Sequence, residues 1–196
     1  MTAFWYMSRA TGIVALVLLT GVFVLGIAVR GKNTLPGLPK FASTDLHRNF
    51  SLLAVAFVAV HVLTAVLDGY VHIPLLTAVI PFTSGYERLW LGIGAVGFDL
   101  MLAMIVTSLL RGRLNRRLWR AIHLTAYLCW PIALAHSVFA GKDLRQFPMI
   151  LVLIASVVLI IAAVAWRVVH AARQISRADR VTLLLDAARE PETAAR

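Results

Sequence analysis

Long apolar stretches alternate with short polar ones along this chain. Five stand out, at 12–29, 50–67, 89–110, 121–140 and 147–166, each of 18 to 22 residues. About 20 apolar residues in a helix cross the hydrocarbon core of a bilayer. Many of these positions are Val or Ile, which favour strands, but buried strands run only about 4–8 residues. A backbone surrounded by lipid must also satisfy its own hydrogen bonds, which selects helices. The pattern predicts an all-α integral membrane protein, a bundle of five transmembrane helices. The first stretch is longer than a typical signal-peptide core, follows Trp5-Tyr6 and has no clear A-x-A site before the next polar loop. It reads as a retained helix.

Composition agrees. The chain is 60% hydrophobic and 14% charged, with a mean hydropathy of +0.84. Soluble domains are roughly 45–50% apolar and about 25% charged. A water-soluble single domain is excluded, as is a disordered chain. The single cysteine, Cys129, rules out a disulfide scaffold and any cysteine-based zinc or iron–sulfur site.

The net charge of +10 matters through its placement. Arg30, Lys32, Lys40 and Arg48 face one acid, Asp45, in the segment 30–48. Segment 111–120 carries Arg111, Arg113, Arg116, Arg117 and Arg120 and no acid, and Arg167, Arg173, Arg177 and Arg180 follow Trp166. The alternate segments are poorer in excess positive charge: Asp68, Glu87 and Arg88 in 68–88, and Lys142, Asp143 and Arg145 in 141–146. Positive-rich segments stay cytoplasmic, which predicts the N-terminus outside and the C-terminus inside. The arginines therefore read as topology signals and lipid contacts, not as a nucleic-acid surface. Trp5, Tyr6, Tyr70, Phe82, Tyr86 and Trp90 fall near the outer interface and Trp119 and Trp166 near the inner one, as interfacial aromatics do. The Pro and Gly of segment 36–39 mark a turn-rich inner loop. Residues 1–166 form the membrane domain. Residues 167–196 form a polar cytoplasmic tail, with an apolar knot at 181–185, that reads as a helical extension on the membrane surface.

Four of the six histidines carry the chemistry. His47 lies just before the second stretch and His61 deep within it; His123 lies near the start of the fourth stretch and His136 deep within it. The two helices are expected to run in parallel. Fourteen positions separate His47 from His61 and thirteen separate His123 from His136, or about 20 Å along a helix axis. Two layers follow: His47 with His123 inside, His61 with His136 outside. A pair of imidazoles facing each other meets the requirement of a six-coordinate haem b, and apolar slots between helices accept such cofactors. Fourteen residues leave two side chains within about 40° of one another, whereas thirteen leave them about 140° apart. A kink at Pro131 is the expected correction. Two other readings stand beside this one: histidines that bond only to neighbouring backbone carbonyls or side chains, and a bis-histidine site of a metal transporter, which usually adds carboxylates or thiols. His72 and His170 lie in polar segments and read as ordinary solvated residues.

The residues His47-Arg48…His61 and Arg120-Ala121-Ile122-His123…His136, with the run from Trp119 to Tyr127, resemble the ferric reductase-like transmembrane domain. That family includes the membrane parts of NADPH oxidases and ferric reductases and the haem-binding subunit of the methionine sulfoxide reductase system. The resemblance covers residues 5–166 and implies two stacked b haems on the paired histidines. It also implies transmembrane electron transfer. Eukaryotic members have six spans and a following flavin and nicotinamide domain. Here there are five spans, no G-x-G-x-x-G after a strand, and about 30 residues after the last span. Ile80-Pro81-Phe82-Thr83 resembles the flavin motif of the family's soluble domain, but it lacks the leading histidine and lies in an outer loop. Flavin is thus unsupported by the sequence.

The expected partners are membrane lipid, a separate electron-donor protein or quinol, and an acceptor protein or small oxidant outside. The expected location is a bacterial cytoplasmic membrane. Arg48 and Arg120, and less so Arg116, stand at the level of the inner layer and are candidates for haem propionates; positive-inside placement explains them equally well. Asp99, central in the third stretch, is a candidate proton relay or haem-edge contact, or a bonding partner of Thr64, Thr107 or Thr125. Tyr127 and Trp130 lie between the layers and read as core packing, as do Cys129 and Met104. The glycines at 12, 21, 26, 92, 94 and 97 read as sites of close helix or haem approach. A haemless membrane anchor and a small-molecule or ion transporter are the competing function classes.

Overall fold

A computed structural model describes residues 2–30, 39–69, 71–140 and 147–194. Tyr70, Lys32, Lys142, Asp143, Arg145 and positions 36–38 of the inner turn lie outside them, as do the side chains of Arg30, Lys40, Arg177, Arg180 and the knot at 181–185. The described residues form helices α1 (Ala3–Arg30), α2 (Lys40–Leu67), α3 (Arg88–Leu109), α4 (Arg116–Leu124), α5 (Ala126–Ala140) and α6 (Phe147–Ala194), with a short 3₁₀ turn at Leu75–Ala78. Five helical stretches are long and apolar enough to cross a membrane, α4 and α5 together making the fourth. The protein is an all-helical integral membrane protein.

The helices overrun the apolar stretches. α2 starts at Lys40, ten positions before the apolar run, so that His47 stands inside the helix. Pro39, with its extended backbone, stops the helix from starting earlier. α6 continues unbroken from Phe147 to Ala194. No glycine falls in that range and no proline between 149 and 190, so nothing local interrupts it.

The fourth span is broken at Thr125, not at Pro131. Thr125 closes a tight turn: its N–H and its Oγ1 both donate to the Ile122 carbonyl, at 3.0 Å and 2.7 Å. Leu128 N–H donates to the Thr125 carbonyl at 2.8 Å. A threonine hydroxyl competes here for a carbonyl that the helix would otherwise use. Pro131 sits within α5 without ending it.

α1 is the hub. It packs extensively on α2 and also contacts α5 and α6, while α3 packs on α5. The pairings give the directions. Gly12 lies against His61 and Gly26 against His47, so α1 and α2 are antiparallel. Thr20 bonds to Trp130 and Phe23 lies on Tyr127, so α5 is antiparallel to α1 as well. α2 and α5 are therefore parallel. Leu16, Met149 and Leu153 form a buried apolar cluster of α1 and α6, joined by Ala133, Leu134 and Val138 of α5. Burial of such side chains is what holds α1, α5 and α6 in register. Between the layers, Trp130 Nε1 donates to buried Thr20 Oγ1 at 2.9 Å, and Thr20 donates to the Leu16 carbonyl at 2.8 Å. The indole and hydroxyl are thus satisfied in an apolar interior.

Candidate functional site

The four histidines meet in two pairs. The rings of His47 (α2) and His123 (α4) have centroids 6.4 Å apart at an interplanar angle of 74°. Those of His61 (α2) and His136 (α5) are 6.2 Å apart at 83°. The break at Thr125 lies between His123 and His136 and lets both rings of the α4–α5 span face α2. The thirteen-residue spacing alone could not do this on a straight helix.

The rings are oriented from behind by backbone carbonyls. His61 Nδ1 lies 2.7 Å from the Ser8 carbonyl, His136 Nδ1 2.8 Å from the Trp90 carbonyl and His47 Nδ1 3.1 Å from the Val22 carbonyl. A carbonyl only accepts, so Nδ1 is the protonated nitrogen in these three rings. That leaves Nε2 as the nitrogen with a free lone pair, the arrangement in which imidazoles bind metals. A histidine bonded to a carbonyl in this way keeps its second nitrogen free.

Glycines make room. A Cβ at Gly94 would stand 2.5 Å from His136 Nδ1, and one at Gly12 2.9 Å from His61 Nδ1. At Gly26 the corresponding distance to His47 Nδ1 is 3.8 Å, with Cε1 at 3.4 Å, an ordinary contact. Gly12 and Gly26 are themselves fourteen positions apart, the spacing of the two histidines they face on the antiparallel helix. Gly92 receives the ring of Phe82, which stands at a positive φ of 63°, and Gly97 receives Ile132.

A mainly apolar cavity of about 320 Å³ opens between the helices at the His61–His136 layer. Its wall includes both imidazoles, Gly12, Gly94, Cys129 and Met104. At one end it reaches Arg9, Asp68 and Tyr86. Arg9 lies over Trp5, 4.7 Å from the ring centroid, and Thr2 Oγ1 donates to the Asp68 carboxylate. Arg9 is the functional candidate that the spacing argument missed. It is the single charge ahead of the first apolar stretch and lies one turn before Gly12, which was the available signal.

At the other layer, His123 stacks on Trp119, centroids 4.9 Å apart at 15°, and the Arg111 guanidinium lies 4.6 Å over Trp119. Arg48, Arg116 and Arg120 are exposed on the same end of the bundle. Asp99 does not line the cavity. Thr64, Thr107 and Thr125 donate to carbonyls of their own helices, at 2.7 Å in each case, and not to Asp99. Among the described residues no group of three or more His, Cys, Asp or Glu gathers around a common point.

The family model described as ferric reductase like transmembrane component matches residues 11–139. The chain belongs to that family. The match spans both layers and all four histidines, and membership in this ferric reductase-like family points to transmembrane electron transfer. No curated protein and no solved structure matches the chain.

Proposed function

We propose that this ferric reductase-like protein is a b-type cytochrome carrying two haems, one between His47 and His123 and one between His61 and His136. The pair geometry carries the reading. Two imidazoles on opposite sides of one metal, with bonds of about 2 Å and rings roughly 1 Å in half-width, have centroids about 6 Å apart. The observed 6.2 Å and 6.4 Å match that separation. The carbonyl-bonded Nδ1 atoms, the glycine notches and the apolar slot fit a flat, largely apolar cofactor as well. When bound, haem supplies a one-electron couple that the side chains lack.

The chain's own residues perform the rest. The four histidines would hold the haems through Nε2, and would act as ligands and not as acid–base groups. The carbonyls of Ser8, Val22 and Trp90 hold three of the rings in the tautomer that keeps Nε2 available. Leu16, Met101, Ile132 and Ala133 keep water from the His61–His136 cavity, and burial with ligand type sets the potential. Arg48 and Arg120 stand where they can pair with propionates of the inner group. In the orientation set by the positive-rich segments, the His47–His123 layer is the inner one. Electrons enter there from a cytoplasmic protein or a quinol and leave at the His61–His136 layer to an acceptor outside. The natural setting is a bacterial cytoplasmic membrane.

The test is spectroscopic. The protein is expressed with adequate haem, purified in detergent, and its oxidised and dithionite-reduced spectra are recorded with a haem-to-protein ratio. A reduced b-type spectrum with about two haems per chain, falling to about one in His61→Ala or His123→Ala, is expected. A colourless preparation would sink the reading.

A further inference from the structure

Trp119 carries an indole N–H that is buried and, among the described residues, has no hydrogen-bond partner. A buried donor left unpaired is destabilising, and such groups in folded proteins commonly meet a water or a bound group. Other interior N–H groups show the contrast. Trp130 gives its N–H to Thr20, and three of the paired histidines give theirs to carbonyls. Trp119 is one helical turn before His123 on α4 and its ring lies parallel to the imidazole at 4.9 Å, so the indole packs directly on a side chain of this histidine layer. The surroundings favour an anion. Arg111 covers the indole, and Arg116, Arg117 and Arg120 share the same nine-residue helix with no acid among them.

We propose that the Trp119 N–H donates a hydrogen bond to a carboxylate of the cofactor held between His47 and His123. The proposal rests on the haem reading above and deepens it, because haem b carries two propionates on one edge. Trp119 is then a positioning residue: clamped between Arg111 and His123, it fixes the edge of the ring system and offsets part of its charge. Loss of the donor leaves the carboxylate charge less compensated near the iron, which favours the ferric form and lowers the potential.

The test replaces Trp119 with benzothienylalanine, which keeps the shape of the indole and has sulfur in place of the N–H. Redox titration and haem transfer to excess apomyoglobin are measured on the two-haem protein. The same measurements are made in a His61→Ala background that holds the inner haem alone. The expected result is that one of the two transitions moves to lower potential while the other stays. Haem should leave that site about tenfold faster, equivalent to about 1.4 kcal/mol, with both effects persisting in the His61→Ala background. Trp119→Phe gives the same direction with added loss of packing. Unchanged potentials and transfer rates in a two-haem protein overturn the proposal and leave the haem reading intact, as would be seen if the N–H met only a water. Equal shifts of both transitions also overturn it, since they mark a general disturbance of the bundle. A wild-type protein that takes up no haem overturns the haem reading and this proposal together.

Discussion

The two histidine layers are built differently although their ring separations are nearly equal. The His61–His136 layer sits within long helices. Both rings lie at 2.7–2.8 Å from a carbonyl, and each fills a notch that only glycine leaves open. The His47–His123 layer sits at a helix end. His47 has a longer carbonyl contact of 3.1 Å and a looser glycine, and His123 is braced by Trp119, itself covered by Arg111, on a short helix that ends one residue later. One layer is shaped by backbone and empty space, the other by large side chains. The first should therefore fail through steric intrusion and the second through loss of its braces.

Gly94→Ala is the largest expected break. Its methyl would meet His136 Nδ1 at 2.5 Å, and the ring must leave its carbonyl. Haem content should fall from about two to about one per chain, read by pyridine haemochrome, while Gly26→Ala keeps both. Equal loading of the two variants would end the distinction. Next comes Arg9→Gln. Arg9 lines the cavity of the His61–His136 layer, so removing its charge should lower the midpoint potential of that haem alone, resolved by redox titration in His123→Ala, which leaves only that haem. An unchanged potential in that background would refute the assignment. Trp130→Phe removes the bond to Thr20 between the layers. It should cost about 1 kcal/mol of stability, seen as a lower thermal midpoint in detergent, with haem content unaltered at both sites. Ser8→Ala is the smallest. His61 uses the carbonyl of Ser8, and the hydroxyl is only a 3.4 Å neighbour. Spectra and potentials should match the wild type, and a lost haem would show that the hydroxyl is the true anchor.

How far the residues alone lead differs between these features. The spans were legible because the transfer of about 20 apolar residues into lipid depends on composition and length. The pairing of His47 with His123 and His61 with His136 followed from spacing and the helical rise. The way α4–α5 solves its thirteen-residue spacing was not legible. Pro131 was the conspicuous breaker, yet the chain breaks at Thr125, where a hydroxyl and two short-range backbone bonds replace the regular pattern. Arg9 was overlooked because its position on the cavity depends on how α1 lies across the bundle. For Asp99 the sequence offered a relay or haem-edge role beside a bond to a threonine, and the three candidate threonines satisfy themselves on nearby carbonyls instead.

By itself the sequence determined the helical membrane architecture and the set of ligand-type residues, because hydrophobic partition and helical periodicity act locally along the chain. Only the tertiary structure decided which carbonyls hold the imidazoles, which glycines admit them and where the cavity opens. Carbonyls occur at every residue, so their selection leaves no mark in residue type. It arises from the register in which α1 and α3 pack against the histidine-bearing helices.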